Sequence, residues 1–322
     1  MKLMNRKNVM RLLAACALTG FATLTAAQNK TTKLLVAFPP GGPVDFVART
    51  LSEQLSKELG QTVVVENKAG ANGAIAADAL IKAPAEGQTL WLTSVGAVAI
   101  NPSLYPNLPY DPVRDLAPVS LVVNNVELLV MHPNASANNP QEFINLSKQK
   151  RITMASSGTG SVPHLAMELL ADATKTDLVH VPYKGAAPAI TDVMAGHVDG
   201  FFGDIPGLVS HIRSGKLKPV GLASTRRHPL FPEVKTFQEM GVTGVDSDNW
   251  YALFANKNTS AADLERINQA VRRTLANDAV RSKLIASGAE PAGSSPAELA
   301  SVLKNDMAKW GRVIRDKKVK PD

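Results

Sequence analysis

Lys33-Leu34-Leu35-Val36-Ala37-Phe38-Pro39-Pro40-Gly41-Gly42-Pro43-Val44-Asp45 joins a short apolar run to a helical pattern through two prolines and two glycines. Leu34 to Phe38 has the length and composition of a buried strand. Beyond the break, Val44, Val47, Ala48, Leu51, Leu55 and Leu59 share one helical face, and Gly60 stands where a C-terminal cap belongs. Pro43 suits the first helical turn, where its missing N–H would be unpaired anyway. A strand end, a glycine turn and a helix start thus bring free backbone donors and the positive end of a helix dipole to one spot. That is the outline of an anion site, and equally of an ordinary βα turn.

The same grammar recurs along the chain. Thr62 to Glu66 reads as a second strand, and Gly70-Ala71-Asn72-Gly73 leads into a helix over Ala74 to Ala83. A third strand, Thr89 to Thr93, ends at Ser94-Val95-Gly96. After an irregular stretch from Asn101 to Pro112 and two apolar runs within Leu116 to Val130, a helix begins at Asn138-Asn139-Pro140 and a second α/β series follows. Its first strand, Ile152 to Ala155, meets the turn Ser156-Ser157-Gly158-Thr159-Gly160-Ser161 and a helix over Val162 to Ala173. Strands are expected at 177–183, 198–202 and 218–223, helices at 187–195 and 206–214. Trp250 to Ala255 reads as the last strand, before helices at 261–276, 278–287 and 296–316. Parallel strands align such turns along one sheet edge, where ligands bind in folds of this kind. The pattern predicts an α/β protein of two lobes, 28–126 with 251–322 and 127–250. The chain would cross near Asn124–Val130 and Asp248–Phe254, with a ligand held between the lobes.

The first residues are of another character. Lys2, Arg6, Lys7 and Arg11 precede an apolar run from Leu12 to Leu24 and the small residues Thr25-Ala26-Ala27, the pattern of a secretory signal peptide cleaved after Ala27. The lone cysteine, Cys16, follows Leu13-Ala14-Ala15, as in lipid-modified leaders, but too few apolar residues separate it from Arg11 to form a signal core. A mature chain without cysteine has no disulfide, thiol nucleophile or thiolate metal site. Residues 1–27 hold four basic and no acidic side chains, so their removal lowers the formal charge from +7 to +3. A mild excess of that size does not point to nucleic acid.

The turn from Ser156 to Ser161 offers hydroxyls on Ser157, Thr159 and Ser161 and close backbone approach at Gly158 and Gly160. Uncharged donors of this kind suit a small carboxylate, and Ser161 equally suits a helix cap. His164 lies one turn into that helix; the other five histidines are scattered without a metal-ligand pattern, and no metal or cofactor is expected. Asp45 stands at the start of its helix as a dipole partner, and Asp204, between a strand end and a helix start, is placed to face the cleft. The third glycine of a dinucleotide fingerprint is missing after Gly158-Thr159-Gly160, and there is no Walker lysine or GxSxG elbow. An exported hydrolase using Ser161 and His164 is the enzymatic alternative; no catalytic residue is assigned.

Six ordered motifs carry a resemblance over essentially the whole mature chain. They are Phe38-Pro39-Pro40-Gly41-Gly42-Pro43-Val44-Asp45; Val64-Val65-Glu66-Asn67 with Gly70 to Gly73; Ile100 to Tyr105; Pro109-Tyr110-Asp111-Pro112; Ser156 to Ser161 with His164-Leu165; and Val179 to Gly185. The chain resembles the Bug (TctC-like) family, extracytoplasmic solute receptors of tripartite tricarboxylate transporters. The resemblance implies a two-lobed periplasmic binding-protein fold of the type II, Venus flytrap kind, with two crossings at the hinge and no enzymatic activity. It implies a small organic acid as ligand: a di- or tricarboxylate, an aromatic carboxylate or an acidic amino acid. It also implies a periplasmic monomer working with a membrane-embedded permease pair, or alternatively with a sensor kinase. Carried onto this sequence, the resemblance implicates Pro40, Gly41, Gly42 and Gly73 from the first lobe and Ser157, Thr159, Ser161 and His164 from the second. Phe38, Asp45 and Ser94 of the first lobe and Asp204 of the second, at the same turns, complete the expected ligand site. Many relatives place an acid directly after the phenylalanine matching Phe202; here that position is Gly203, and the acid follows at Asp204.

Overall fold

A computed structural model describes residues 30–321; the expected leader, its cleavage point at Ala27 and Cys16 lie outside the described residues. The chain forms β1 (Thr31–Val36), α1 (Pro43–Leu59), β2 (Thr62–Asn67), α2 (Ala74–Ile81) and β3 (Thr89–Ser94). A π-helical turn, Gly96–Ile100, and the short helices α3 (Asn101–Leu104) and α4 (Pro112–Asp115) lead to β4 (Leu116–Asn125) and β5 (Glu127–Met131). Then come α5 (Pro140–Gln149), β6 (Ile152–Ser156), α6 (Val162–Thr174), β7 (Leu178–Pro182), α7 (Ala186–Ala195), β8 (Gly200–Asp204), α8 (Ile205–Arg213) and β9 (Lys218–Leu222). The chain ends with β10 (Asn249–Asn256), α9 (Ala261–Ala276), α10 (Asp278–Ser287), β11 (Glu290–Pro291) and α11 (Pro296–Lys317). The strand at Trp250 is therefore not the last: two residues, Glu290 and Pro291, pair with β4 at the sheet edge. So short a strand has no periodicity to betray it.

Two sheets result, in the orders β11-β4-β10-β3-β1-β2 and β7-β6-β8-β5-β9. Each contains a parallel trio, β2-β1-β3 in the first and β7-β6-β8 in the second, followed by an antiparallel strand that arrives from the other sheet. β5 follows β4 across the gap and pairs with β8, while β10 follows β9 back and pairs with β3. This reciprocal exchange makes the two-lobed, twice-crossed fold expected of the chain.

Alternation along the strands divides each core in two. Leu34 and Val36 face α1, α9 and α10, whereas Leu35 and Ala37 face α2 and α11. In the second sheet Leu128, Val130 and Phe201 pack with α7 and α8, while Leu129, Met131 and Phe202 pack with α5 and α6. Trp91 and Trp310 are fully buried and Trp250 nearly so. Two helices also span the lobes. The first turn of α6 sends Val162 and Leu165 into the apolar cluster that holds Leu303 and Trp310, while Ala166, Met167 and Leu170 pack in the second lobe. The start of α8 lies against α1, with Gly207 close to Pro43.

Candidate functional site

In both parallel trios the strand order reverses beside the first strand of the series, and side chains just beyond the strand ends meet in one crevice. Phe38, Gly42, Pro43 and Val44 come from the turn after β1, and Ser94 ends β3. Ser157, Ser161, Val162 and Pro163 come from the turn after β6, Ala186 opens α7, and Phe201 and Asp204 lie on β8. Asn249 and Tyr251 of the crossing strand β10 complete the lining of a narrow gap with an enclosed volume of about 30 Å³. Four helix starts therefore border one gap: α1, α6, α7 and α8.

At such starts the first amides have no intrahelical acceptor. In α1 the first intrahelical bond is Phe46 N–H to Gly42 O (3.0 Å), which leaves Val44 and Asp45 N–H for other acceptors, Pro43 having none. In α6 the Ser161 hydroxyl accepts from His164 N–H (3.4 Å), so the cap uses one amide and Val162 N–H remains. In α7 Gly185, at φ +125°, turns the chain so that Ala186 and Ala187 lead the helix. None of the cavity-lining side chains among the described residues is Lys, Arg or His. The gap offers amides and hydroxyls with converging dipoles, each worth about 0.3–1 kcal/mol to an anion at an exposed site and up to ~2 when partly buried.

The expected site residues divide between the gap and its supports. Phe38, Gly42, Ser94, Ser157, Ser161 and Asp204 line it. Thr159 lines an adjoining recess with Asn72, Tyr105 and Tyr183, where the Tyr105 hydroxyl donates to Thr159 O (3.1 Å) across the lobes. Pro40 and Gly41 are exposed on the outer rim, and Gly41 N–H is already given to Asp45 Oδ2 (3.0 Å). Asp45 also accepts from Arg49 Nε (2.9 Å) and Asn67 Nδ2 (2.9 Å). Burial acts to raise its pKa, but the Arg49, Gly41 and Asn67 hydrogen bonds outweigh that and hold the carboxyl below its ordinary range. Asp45 thus ties its own turn together and does not line the gap. Gly73 is buried against Ala37, Ala97 and Trp91 at φ +96°, where a Cβ would sit 2.8 Å from the Ala97 methyl. It shapes the Gly70–Gly73 turn from beneath.

His164 also lies behind the gap. Its Nδ1 accepts Gly160 N–H (3.2 Å), which requires an unprotonated Nδ1, and Nε2 faces Glu168 at 3.6 Å. Its ring stacks on His180 with centroids 3.8 Å apart, and His180 Nε2 is 2.6 Å from Ser156 Oγ. The two rings buttress the Ser156–Ser161 turn. Ser161 Oγ contacts the His164 amide, and among the described residues no hydrogen bond joins it to the His164 ring. No group of three or more His, Cys, Asp or Glu among the described residues is arranged to hold a metal.

Residues 47–319 match the family described as tripartite tricarboxylate transporter family receptor. The chain belongs to this family. Protein BugT of Bordetella pertussis is 34% identical over 319 residues, 96% of this chain and 98% of that protein. Among solved structures, periplasmic binding protein BugD superposes with a TM-score of 0.87 at 30% identity, over 91% of this chain and 99% of that one. Rpa4515 of R. palustris with adipate gives 0.88 at 29%, covering 92% and 100%. MatC of Rhodopseudomonas palustris with bound malate gives 0.83 at 31%, covering 88% and 98%.

Several lining residues of this receptor escape sequence reasoning. Asn249 and Tyr251 reach the gap because β10 runs antiparallel beside β3, pairing Tyr251 with Ser94. Such long-range pairing leaves no local mark. Ala186 had a signal, the Lys184-Gly185 turn before a helix, but alanine carries no donor in its side chain and only its backbone serves.

Proposed function

We propose that this receptor captures a small organic acid between its lobes in the periplasm and presents it to a tripartite tricarboxylate-type permease pair. The observation that carries the reading is the meeting of four helix starts, with the hydroxyls of Ser94, Ser157 and Ser161, on one gap that has no fixed cation among the described residues. Donors of this kind recognise a carboxylate by hydrogen bonds and dipoles, and because they come from both lobes, a bound carboxylate favours the closed arrangement over an open one. The malate and adipate bound by the two R. palustris relatives support dicarboxylates as the first class to test. The lobes moving against each other are taken as 28–126 with 251–322 and 127–250, hinged where β4 passes into β5 and where β10 begins. Export by a leader cleaved after Ala27 fits that compartment.

Titration calorimetry of the mature protein against malate, adipate, tricarboxylates, aromatic acids and acidic amino acids tests the proposal. One acid should bind one-to-one with a Kd near or below the micromolar range, about −8 kcal/mol. Absence of heat from the whole panel, or turnover of any member, would refute it.

A further inference from the structure

Behind the gap lies a buried polar cluster that binding of a carboxylate does not explain. Glu127, the first residue of β5, and Asp204, the last of β8, are direct cross-strand partners. Glu127 is fully buried and Asp204 is 7% exposed. From the other sheet, the Tyr251 hydroxyl donates to Asp204 Oδ2, and Asn249 Nδ2 donates to Asp204 Oδ1 (3.1 Å) and Oδ2 (3.0 Å). The same amide is 3.5 Å from Glu127 Oε1, and Glu127 Oε2 has no donor. Among the described residues neither carboxyl has an ion-pair partner, and Arg226 and Lys309 act on the adjoining Asp248 instead. The titratable groups that act on it are Tyr251 on β10 and Asp248 just before that strand, and the neighbouring Asn125, Leu222 and Ala223 do not titrate.

Two carboxyls within hydrogen-bonding reach and without a counter-ion do not both ionise. The proton belongs on Glu127. Asp204 already accepts three hydrogen bonds, whereas Glu127 Oε2 finds a partner only as an O–H that donates to Asp204. Taking the proposed acid-binding function as given, we propose that Glu127 is a positioning residue for ligand capture. It holds a proton, keeps the floor of the gap at one negative charge instead of two, and fixes Asp204 for Tyr251 and Asn249 across the hinge. Burial first, and the Asp204 charge second, raise the Glu127 pKa well above the usual carboxyl range, and burial raises that of Asp204 as well.

The sign of the pH dependence follows. An opened hinge hydrates the pair and lowers its proton affinity, so closing on a ligand takes a proton up. The contribution of the pair to closure is complete below the ordinary carboxyl range, near pH 4, and is lost as pH rises towards the raised pKa of the closed state.

Two measurements on the full mature receptor test this. Infrared spectroscopy of the ligand-free protein, titrated from neutral pH down to pH 4, should show one protonated-carboxyl C=O stretch that grows in above the ordinary carboxyl range and is missing in Glu127→Gln. Calorimetry with malate, in buffers of different ionisation enthalpy, should give uptake of up to one proton per malate in the wild type and none in Glu127→Gln. The Gln variant keeps the donor to Asp204, so it should bind with near wild-type affinity at low pH and lose the pH dependence; Glu127→Ala should bind at least tenfold more weakly throughout. An absent band, a band surviving in Glu127→Gln, or equal proton uptake in both proteins overturns the assignment. If malate and the rest of the acid panel give no heat, the proposed function fails, and the infrared band still decides separately whether Glu127 holds the proton.

Discussion

Gly185 turns the chain into α7 at φ +125°, and a Cβ there would lie 2.7 Å from Pro39 Cδ of the opposite lobe. Gly160 stands in the same relation to the first lobe, its absent Cβ 2.5 Å from Leu104 Cδ2. Both are places where the lobes approach too closely for any side chain. Gly185→Ala should therefore cost about 1–2 kcal/mol through the left-handed backbone and the wedge against Pro39. Because Pro39 belongs to the other lobe, the loss should fall on closure: acid affinity measured by calorimetry should drop roughly tenfold, more than thermal stability suffers. At this scale the sequence was legible where a residue type has few uses. Glycines and hydroxyls flanking strand ends marked both turns. It was silent where the partner is distant: His164 looked solitary because His180, 16 positions on, stacks with it only after β6 and β7 pair. Asp45, expected both as a partner of its own helix and as a ligand residue, bonds to Gly41 N–H and so takes away a donor that the turn had seemed to offer a ligand.

Helix α6 is the element whose two ends do different work. Its start borders the gap and its first apolar residues cross to the other lobe, whereas Met167 and Leu170 pack within its own. Leu165→Ala and Leu170→Ala both remove a fully buried side chain and should each cost about 2–5 kcal/mol in denaturant unfolding. Only Leu165→Ala should also weaken acid binding, since its cluster joins the lobes; equal affinities in the two variants would show that this contact does not serve closure. Most elements were readable because each strand–turn–helix unit is local and its apolar period is strong. The antiparallel placement of β5 and β10 was not, since pairing with β8 and β3 depends on strands far away in the chain. That placement is why Asn249 and Tyr251 were missed.

At the scale of the molecule, the fold is a device for bringing backbone dipoles from two independent sheets to one point. Each lobe repeats the same construction, a parallel trio whose strands end in helix starts, and residues from the strand ends of both trios line one gap. Among the described residues neither lobe has a fixed cation in the gap, so neither should hold an acid tightly alone, and affinity should depend on both. The sharpest measurement is a crystal structure of the receptor with a bound acid from the calorimetric panel. One carboxylate should accept hydrogen bonds from the first turn of α1, at Val44 or Asp45 N–H, and at the same time from the Ser157–Val162 turn or the start of α7. A carboxylate held by one lobe only, or seated outside this gap, would contradict the account.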